Sequence, residues 1–248
     1  MGDTDTITVQ ATETSMQIVE ELYDRDGAGV TELADAMDVS KSAVHNHLST
    51  LRTLGYVKNT NGTYELTHRF LRIGFGTRER NPVYQAAQSE IRKLARNTNA
   101  VANLVVPENA DAVYLHRIGA RDHPISIGGS VKLHAAAAGK AILAFRSADA
   151  VDEYVGRHGL DPKTDRTVTD RATLRSELRS IRDRNIAFDR GELDPDWQCA
   201  ASPVVVDGDP VGAVSVSGPS DEMQGKRLEE DTAGLVSSAA KTIELELL

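Results

Sequence analysis

The chain has 248 residues, of which 40% are hydrophobic, 26% charged and 4% aromatic. That is enough chain for a buried core and for two domains, and too apolar for a wholly disordered protein. A single cysteine, Cys199, excludes a disulfide framework and a multi-cysteine metal cluster. No run approaches the roughly 18 apolar residues of a membrane helix. The first ten residues lack the basic flank and apolar stretch of a secretion signal. These features predict a soluble, cytoplasmic protein with no membrane partner.

The net charge is −9, from 21 Asp and 16 Glu against 20 Arg and 8 Lys. An aspartate-rich, lysine-poor surface suits high internal salt, where like-charge repulsion is screened, and predicts a halophilic source. An ordinary acidic cytosolic protein is the alternative. The charge is uneven: residues 1–40 carry −9, residues 41–80 carry +5 and residues 81–248 carry −5. The basic block is where an anionic polymer would dock, although such a run also serves as a solvated face.

In chain order, Thr14 or Ser15 is expected to cap a first helix with Met16, Val19, Leu22 and Tyr23 as its apolar face. Asp26, Gly27 and Gly29 end it. A second helix is expected over 32–37, with Leu33, Ala34 and Met37 inward, followed by a turn at Asp38–Val39. Ser40 then caps a third helix from Lys41 to about Leu54. Two short helices and a tight turn suit a helix-turn-helix, with a plain helical hairpin as the alternative. Val44, Leu48, Leu51 and Leu54 have the spacing of a buried stripe. The opposite face carries Lys41, Ser42, His45, Asn46, Ser49 and Arg52, with no acid among them. Such a face suits phosphates and base edges: Asn46 for adenine, His45 in the groove, Lys41 and Arg52 for phosphates.

Residues 56–60 and 63–66 are strand-like. Asn61-Gly62 between them is a hairpin turn in which both residues take positive φ. This wing would bring Lys58 and Asn59 to the flanking backbone or minor groove. Arg69, Arg72, Arg78 and Arg80 extend the basic block along a linker helix, and Gly74, Gly76 and Asn81-Pro82 break the pattern near residue 80. The expected organisation is a winged helix-turn-helix over 1–68, a linker helix over 69–82 and a second domain over 83–248.

In that second domain a helix is expected over 83–97, with Ala87, Ile91, Leu94 and Ala95 as its stripe. Strands follow at 101–107 and 112–118, joined by a turn at Asn109-Ala110-Asp111. Residues 135–145 read as a small-residue helix, with further helices at 149–158 and 171–185. A hairpin of 204–207 and 211–217 turns at Gly208-Asp209-Pro210, and an amphipathic helix over 228–247 closes the chain. Strands with helices at both ends indicate an α+β class.

Three stretches carry a family resemblance. The first is Ser40-Lys41-Ser42-Ala43-Val44-His45. The second is Leu133-His134-Ala135-Ala136-Ala137-Ala138-Gly139-Lys140-Ala141. The third runs from Phe188-Asp189 and Glu192 through Cys199-Ala200-Ala201-Ser202-Pro203-Val204 to Val214-Ser215-Val216-Ser217-Gly218-Pro219. In these the chain resembles the isocitrate lyase regulator (IclR) family of transcription factors over nearly its whole length. The resemblance implies an N-terminal winged helix, with Ser40 joining the DNA-binding set, and a GAF-like α+β effector domain. It implies a dimer or tetramer on a palindromic double-stranded DNA operator, and a small organic-acid or sugar-acid effector. By position it places Ala137, Ala138, Asp189, Trp197, Cys199, Ser215 and Ser217 at the effector pocket. Two positions depart from the family's pattern: Ala136 replaces a frequent hydroxyl, and Arg190-Gly191 replaces a second acid.

The residues themselves leave alternatives. Ser215 and Ser217 alternate with valines, so their hydroxyls share a strand face, where they can hold a carboxylate or bond backbone. Ala135–Ala138 can open a helix toward an anion or simply pack closely. Cys199 is more often a small buried hydrophobe than a ligand. Trp197 can wall a pocket or cover a core. Asp189 would repel a carboxylate unless it bonds a ligand hydroxyl or holds a loop. A phosphate-binding loop is excluded, because His134 occupies the first glycine position and Ala141 replaces Ser or Thr. No Gly-x-Ser-x-Gly elbow exists. His45 and His47 face different ways, and His116, His123 and His134 are the remaining metal candidates. No cofactor or metal is expected. The expected function is a ligand-modulated, sequence-specific DNA-binding regulator. The alternatives are a small-molecule enzyme with a fused helix-turn-helix, or a nucleoid-type DNA binder without effector control.

Overall fold

The computed structural model describes residues 9–119 and 123–248. The chain divides into two compact units that part between Thr77 and Arg78. No helix among the described residues is long and apolar enough to cross a membrane.

The first unit holds α1 (Gln10–Asp24), α2 (Val30–Met37), α3 (Lys41–Thr53), β1 (Val57–Thr60) and β2 (Thr63–Leu66). α1 starts earlier than expected. Val9 is its N-cap, and Thr14 and Ser15 lie inside the helix, donating to the Gln10 and Ala11 carbonyls at 3.0 and 2.9 Å. Nothing in Gln10–Glu13 breaks a helix, and a mid-helix hydroxyl is satisfied by the carbonyl four residues back. Its buried stripe is Ile18, Val19 and Leu22, while Met16 and Tyr23 are 50% and 67% exposed. At about 100° per residue, those two positions fall well to one side of the stripe's centre.

α2 is capped by Glu32, whose carboxylate accepts from the Gly29 N–H at 2.7 Å. Asp38 takes a left-handed conformation and ends it, and Ser40 Oγ accepts from the Ala43 N–H at 3.1 Å to open α3. The core of this unit joins Ile18, Leu22, Leu33, Val44, Leu48, Val57 and Tyr64. Leu54 lies outside it, 53% exposed at the C-cap of α3. The hairpin pairs Val57 with Leu66 through Thr60 with Thr63, and Asn61 and Gly62 take φ of 54° and 94°. α4 (Arg69–Glu79) runs through Gly74 and Gly76. A helical glycine costs about 1 kcal/mol, which weakens a helix without ending it. The break comes only at Asn81-Pro82, where Asn81 caps the next helix.

The second unit contains α5 (Pro82–Thr98), β3 (Val101–Glu108), β4 (Asp111–Ile118), β5 (Ser130–Lys132), α6 (Ala137–Ala144), α7 (Ala148–His158) and α8 (Arg171–Arg184). Then come β6 (Ala187–Arg190), β7 (Trp197–Val206), β8 (Asp209–Pro219), a π-helical turn at Arg227–Thr232 and α9 (Ala233–Leu247). The strands form one antiparallel sheet in the order β5-β4-β3-β8-β7-β6. β7 and β8 are longer than the sequence indicates, and they turn at Asp207-Gly208, with φ of 51° and 86°. Ile91, Leu94, Leu104, Val214, Val236 and Ile243 pack on the α5 and α9 side. Val105, Tyr114, Ile142, Leu174 and Leu178 pack on the α6, α7 and α8 side. Burial on both sheet faces removes the polar–apolar alternation that would have exposed β6 and the start of β7 to inspection.

The small-residue segment is not one helix. Leu133–Ala135 form a 3₁₀ turn, Ala136 is extended, and α6 begins at Ala137. The turn crosses α6 at Gly139, where a Cβ would stand 2.2 Å from the Leu133 carbonyl oxygen. This crossing sets the N-terminus of α6 against the sheet.

Candidate functional site

The exposed face of α3 carries Lys41, Ser42, His45, Asn46 and Arg52, with Ser49 partly buried at its margin. Ser40 is exposed and spends its hydroxyl on the cap of α3. His47 lies apart, its Nδ1 2.8 Å from Ser15 Oγ. The wing is more self-satisfied than its sequence indicates. Lys58 Nζ is 2.6 Å from Glu65, its cross-strand partner, and Asn59 Oδ1 accepts from the Gly62 N–H at 3.2 Å. Asn59 therefore builds the turn, and the charge of Lys58 is offset before any partner arrives. Arg69 is also occupied: it stacks 4.7 Å from the Tyr56 ring centroid and donates to the Leu54 carbonyl at 2.8 Å.

In the second unit a small cavity lies at the N-terminus of α6. Its walls include Tyr114, His123, Ala136, Ala137, Asp189, Leu193, Trp197, Cys199 and Ser217, and its volume is about 10 Å³. Five of the expected residues meet there: Ala137, Asp189, Trp197, Cys199 and Ser217. Ala138 and Ser215 do not line it. Ala138 is buried one helical step further on, and Ser215 lies deeper along β8.

Each wall residue has a physical account. Asp189 is 4% exposed, and Gly191 and Glu192 N–H donate to its Oδ1 at 3.0 and 2.6 Å while Leu193 N–H donates to Oδ2 at 3.3 Å. It holds the loop. Burial raises its pKa and those three amides oppose the rise. Burial pushes the Cys199 thiol up to about 12, so it stays protonated at neutral pH. His123 stands edge-on to Trp197 and tilted to Tyr114, with ring centroids 5.2 and 5.3 Å apart. Burial pushes its pKa down to about 4, so its ring is neutral, and Nδ1 accepts from the Ile125 N–H at 3.1 Å.

Sequence reasoning missed Tyr114 and His123 as wall residues, and also Asn103. Asn103 is fully buried on β3, and its Nδ2 donates to Ser215 Oγ at 3.3 Å and Ser217 Oγ at 3.4 Å. Its Oδ1 is buried with no hydrogen-bond partner. The one available signal was a polar residue within the apolar run of residues 101–107.

Behind the cavity, Lys140 is fully buried, with Nζ 2.6 Å from Glu192 and 2.5 Å from Glu177. Burial lowers its pKa, but the two carboxylates raise it further, so the group is an ammonium. The metal candidates do not converge. His134 packs against Tyr154 and Asp161, His116 stands edge-on to Tyr84, and His123 belongs to the cavity. Among the described residues no group of three His, Cys, Asp or Glu side chains is placed to hold a metal ion.

A winged helix-turn-helix with an exposed, acid-free α3 face, joined in one chain to an α+β unit with a small cavity, is the make-up of a ligand-sensing DNA-binding regulator. Residues 15–60 match the IclR helix-turn-helix domain, and residues 76–245 match the family described as bacterial transcriptional regulator IclR C-terminal. The chain belongs to the IclR family of transcriptional regulators, with a DNA-binding and an effector-binding domain. It is 27% identical to the probable HTH-type transcriptional regulator ArcR of Halobacterium salinarum, over 94% of this chain and 92% of that protein. It is 29% identical to the HTH-type transcriptional regulator KdgR of Escherichia coli, over 90% of this chain and 88% of that protein. Its fold matches the IclR homolog of Microbacterium hydrocarbonoxydans, solved with 4-hydroxybenzoate, with a TM-score of 0.80 and 19% identity over 96% and 98% of the two chains.

Proposed function

We propose that the chain binds a palindromic operator as a homodimer or homotetramer, reading bases with α3, and that a small organic or sugar acid at the α6 cavity modulates that binding. The observation that carries the DNA half is the exposed, acid-free face of Lys41, Ser42, His45, Asn46 and Arg52 on a chain of net charge −9. Lys41 and Arg52 take phosphates, Asn46 and His45 take base edges, and the wing plays a lesser part than α3. Leu71 and Phe75 of α4, one helical turn apart and 53% and 48% exposed within one chain, supply an apolar face for a second copy.

The effector half rests on chemistry. Ala136 provides no side-chain cap to α6, so the first-turn N–H groups at the cavity favour an anion. Ser217 adds a hydroxyl. A ligand of the size of 4-hydroxybenzoate, the molecule held by the Microbacterium homolog, exceeds the cavity's 10 Å³, so its entry must displace a wall. That displacement is the structural change that couples binding to DNA affinity. A non-enzymatic reading is supported by the protonated Cys199 and by an Asp189 committed to three backbone amides.

The test is to map occupancy on the source genome by crosslinking and sequencing at native salt. A shared palindrome beneath sharp peaks is the expected result. Diffuse occupancy with no common motif overturns the operator reading in favour of a nucleoid-type binder.

A further inference from the structure

A second and larger cavity, about 360 Å³, shares no lining residue with the effector cavity. It lies where the end of α6 meets the start of α7 and the middle of α8. Its floor is apolar, with Leu143, Val151 and Leu178 all buried. Its rim is Arg146, Arg175, Arg179 and Arg182, and no carboxylate lines it.

The arginines are only partly compensated. Arg175 pairs with Asp152 of α7. Arg182 donates to the Ala144 and Arg146 carbonyls at 2.6 Å each, and these neutral acceptors leave its charge in place. Arg146 Nε is buried without a hydrogen-bond partner. Arg179 forms no ion pair among the described residues. On α8, Arg171, Arg175, Arg179 and Arg182 follow at intervals of four, four and three, so they form one stripe. Like charges at that spacing repel along a helix. A stripe of this kind over an apolar floor is unusual on a chain of net charge −9.

We propose that this groove binds a small amphipathic anion. Its carboxylate, sulfonate or phosphate head sits among Arg146, Arg179 and Arg182, and its apolar body lies on Leu143, Val151 and Leu178. The volume falls in the range that holds a small ligand. The guanidinium fork matches a planar or tetrahedral oxyanion, and an anion supplies the acceptor that Arg146 Nε lacks. A nucleic-acid backbone would need no apolar floor. The groove meets the C-terminal end of α6, whose N-terminal end opens on the effector cavity, so the two sites engage opposite ends of one helix. This assignment does not depend on what the effector cavity binds.

The probe is 8-anilinonaphthalene-1-sulfonate, an anion with an aromatic body, titrated into the full-length protein and followed by its own fluorescence. The neutral analogue N-phenyl-1-naphthylamine is the control. Arg146→Gln with Arg179→Gln should weaken binding of the sulfonate by roughly tenfold or more, the loss expected for charge-assisted hydrogen bonds, and should leave the neutral analogue unchanged. Arg179→Gln alone, at an exposed position, gives a smaller loss and guards against a folding defect in the double variant. Equal sulfonate affinity in wild type and both variants overturns the proposal. Displacement of the sulfonate by short duplex DNA but not by benzoate or phenyl phosphate also overturns it, in favour of a polymer site.

Discussion

Lys140 Nζ lies 2.6 Å from both carboxylate oxygens of Glu192, inside the second unit. The lysine comes from α6, whose N-terminus opens on the small cavity, and the glutamate from the loop that Asp189 holds against that cavity. The pair ties the cavity's helix to its loop, and Glu177 ties both to α8.

Lys140→Met should destabilise the chain by about 3–5 kcal/mol, the range for removing one partner of a buried ion pair. The cost arises because Glu192 and Glu177 keep their burial and lose their counter-charge. Urea unfolding of the variant against wild type measures it. A change under about 1 kcal/mol would show that the ammonium does not hold this junction.

Stability should depend on pH through Glu192. Burial pushes its folded pKa from 4.5 up to about 7, against the opposing pull of Lys140 and with added push from Glu177 and Asp189. Between those two values the folded chain holds a proton that the unfolded chain has released, so stability falls as pH rises through that window. The contribution of Lys140 has the same sign in a higher window: its raised pKa gives stability present below 10.5 and lost as pH rises through the folded value. Glu192→Gln should flatten the fall between pH 4.5 and about 7 in denaturant titrations, and an unaltered slope would contradict this account.

On DNA, Asn46→Ala should cost about 1–3 kcal/mol at the preferred base and little on other sequences. Lys41→Ala should weaken all sequences and reduce the salt slope by about one. Because Lys58 is held by Glu65, Lys58→Ala should weaken binding less than Lys41→Ala, and Glu65→Gln should strengthen binding to all duplexes. Fluorescence anisotropy over a salt series separates these effects. Unchanged operator affinity in both Asn46→Ala and Lys41→Ala would displace the recognition face from α3.

Asn103 should decide the polarity of the cavity's hydroxyls. Its Nδ2 donates to both serines, so the O–H of Ser217 turns away from Asn103 toward the cavity, where a ligand oxygen would compete with Cys199 for it. Asn103→Asp keeps the shape, and in its ionised form it only accepts and carries a negative charge, so above its pKa it should draw both protons inward and weaken small carboxylic acids by about tenfold. Trp197, the only tryptophan, reports the titration. Equal affinities in wild type and variant would mean that the serines bond only to the protein.

Much of the fold was legible because local patterns reported local structure. Asn61-Gly62 dictated the hairpin, Ser40 the start of α3, and the Ala87, Ile91, Leu94 and Ala95 stripe the buried face of α5. The start of α1 was misplaced because Thr14 and Ser15 have the chemistry of a cap but found carbonyls one turn back. β5 and β6 went unseen because one is three residues long and the other is a four-residue edge strand in a sheet covered on both faces.

By itself the sequence determined the two-part organisation of helices and strands and the acid-free face of α3, while the family resemblance of its motifs pointed to five residues that line the cavity. Those follow from periodicity, charge and motif, which are properties of neighbours along the chain. Only the tertiary structure decided that Asp189 holds a loop, that Lys58 is already paired, and that Ala138 and Ser215 stand behind the wall. It alone brought Asn103 beneath two serines more than a hundred positions away, and gathered arginines from the end of α6 and from α8 around one groove. Such contacts join residues distant in the chain, and no local spacing encodes the packing that brings them within a few ångströms.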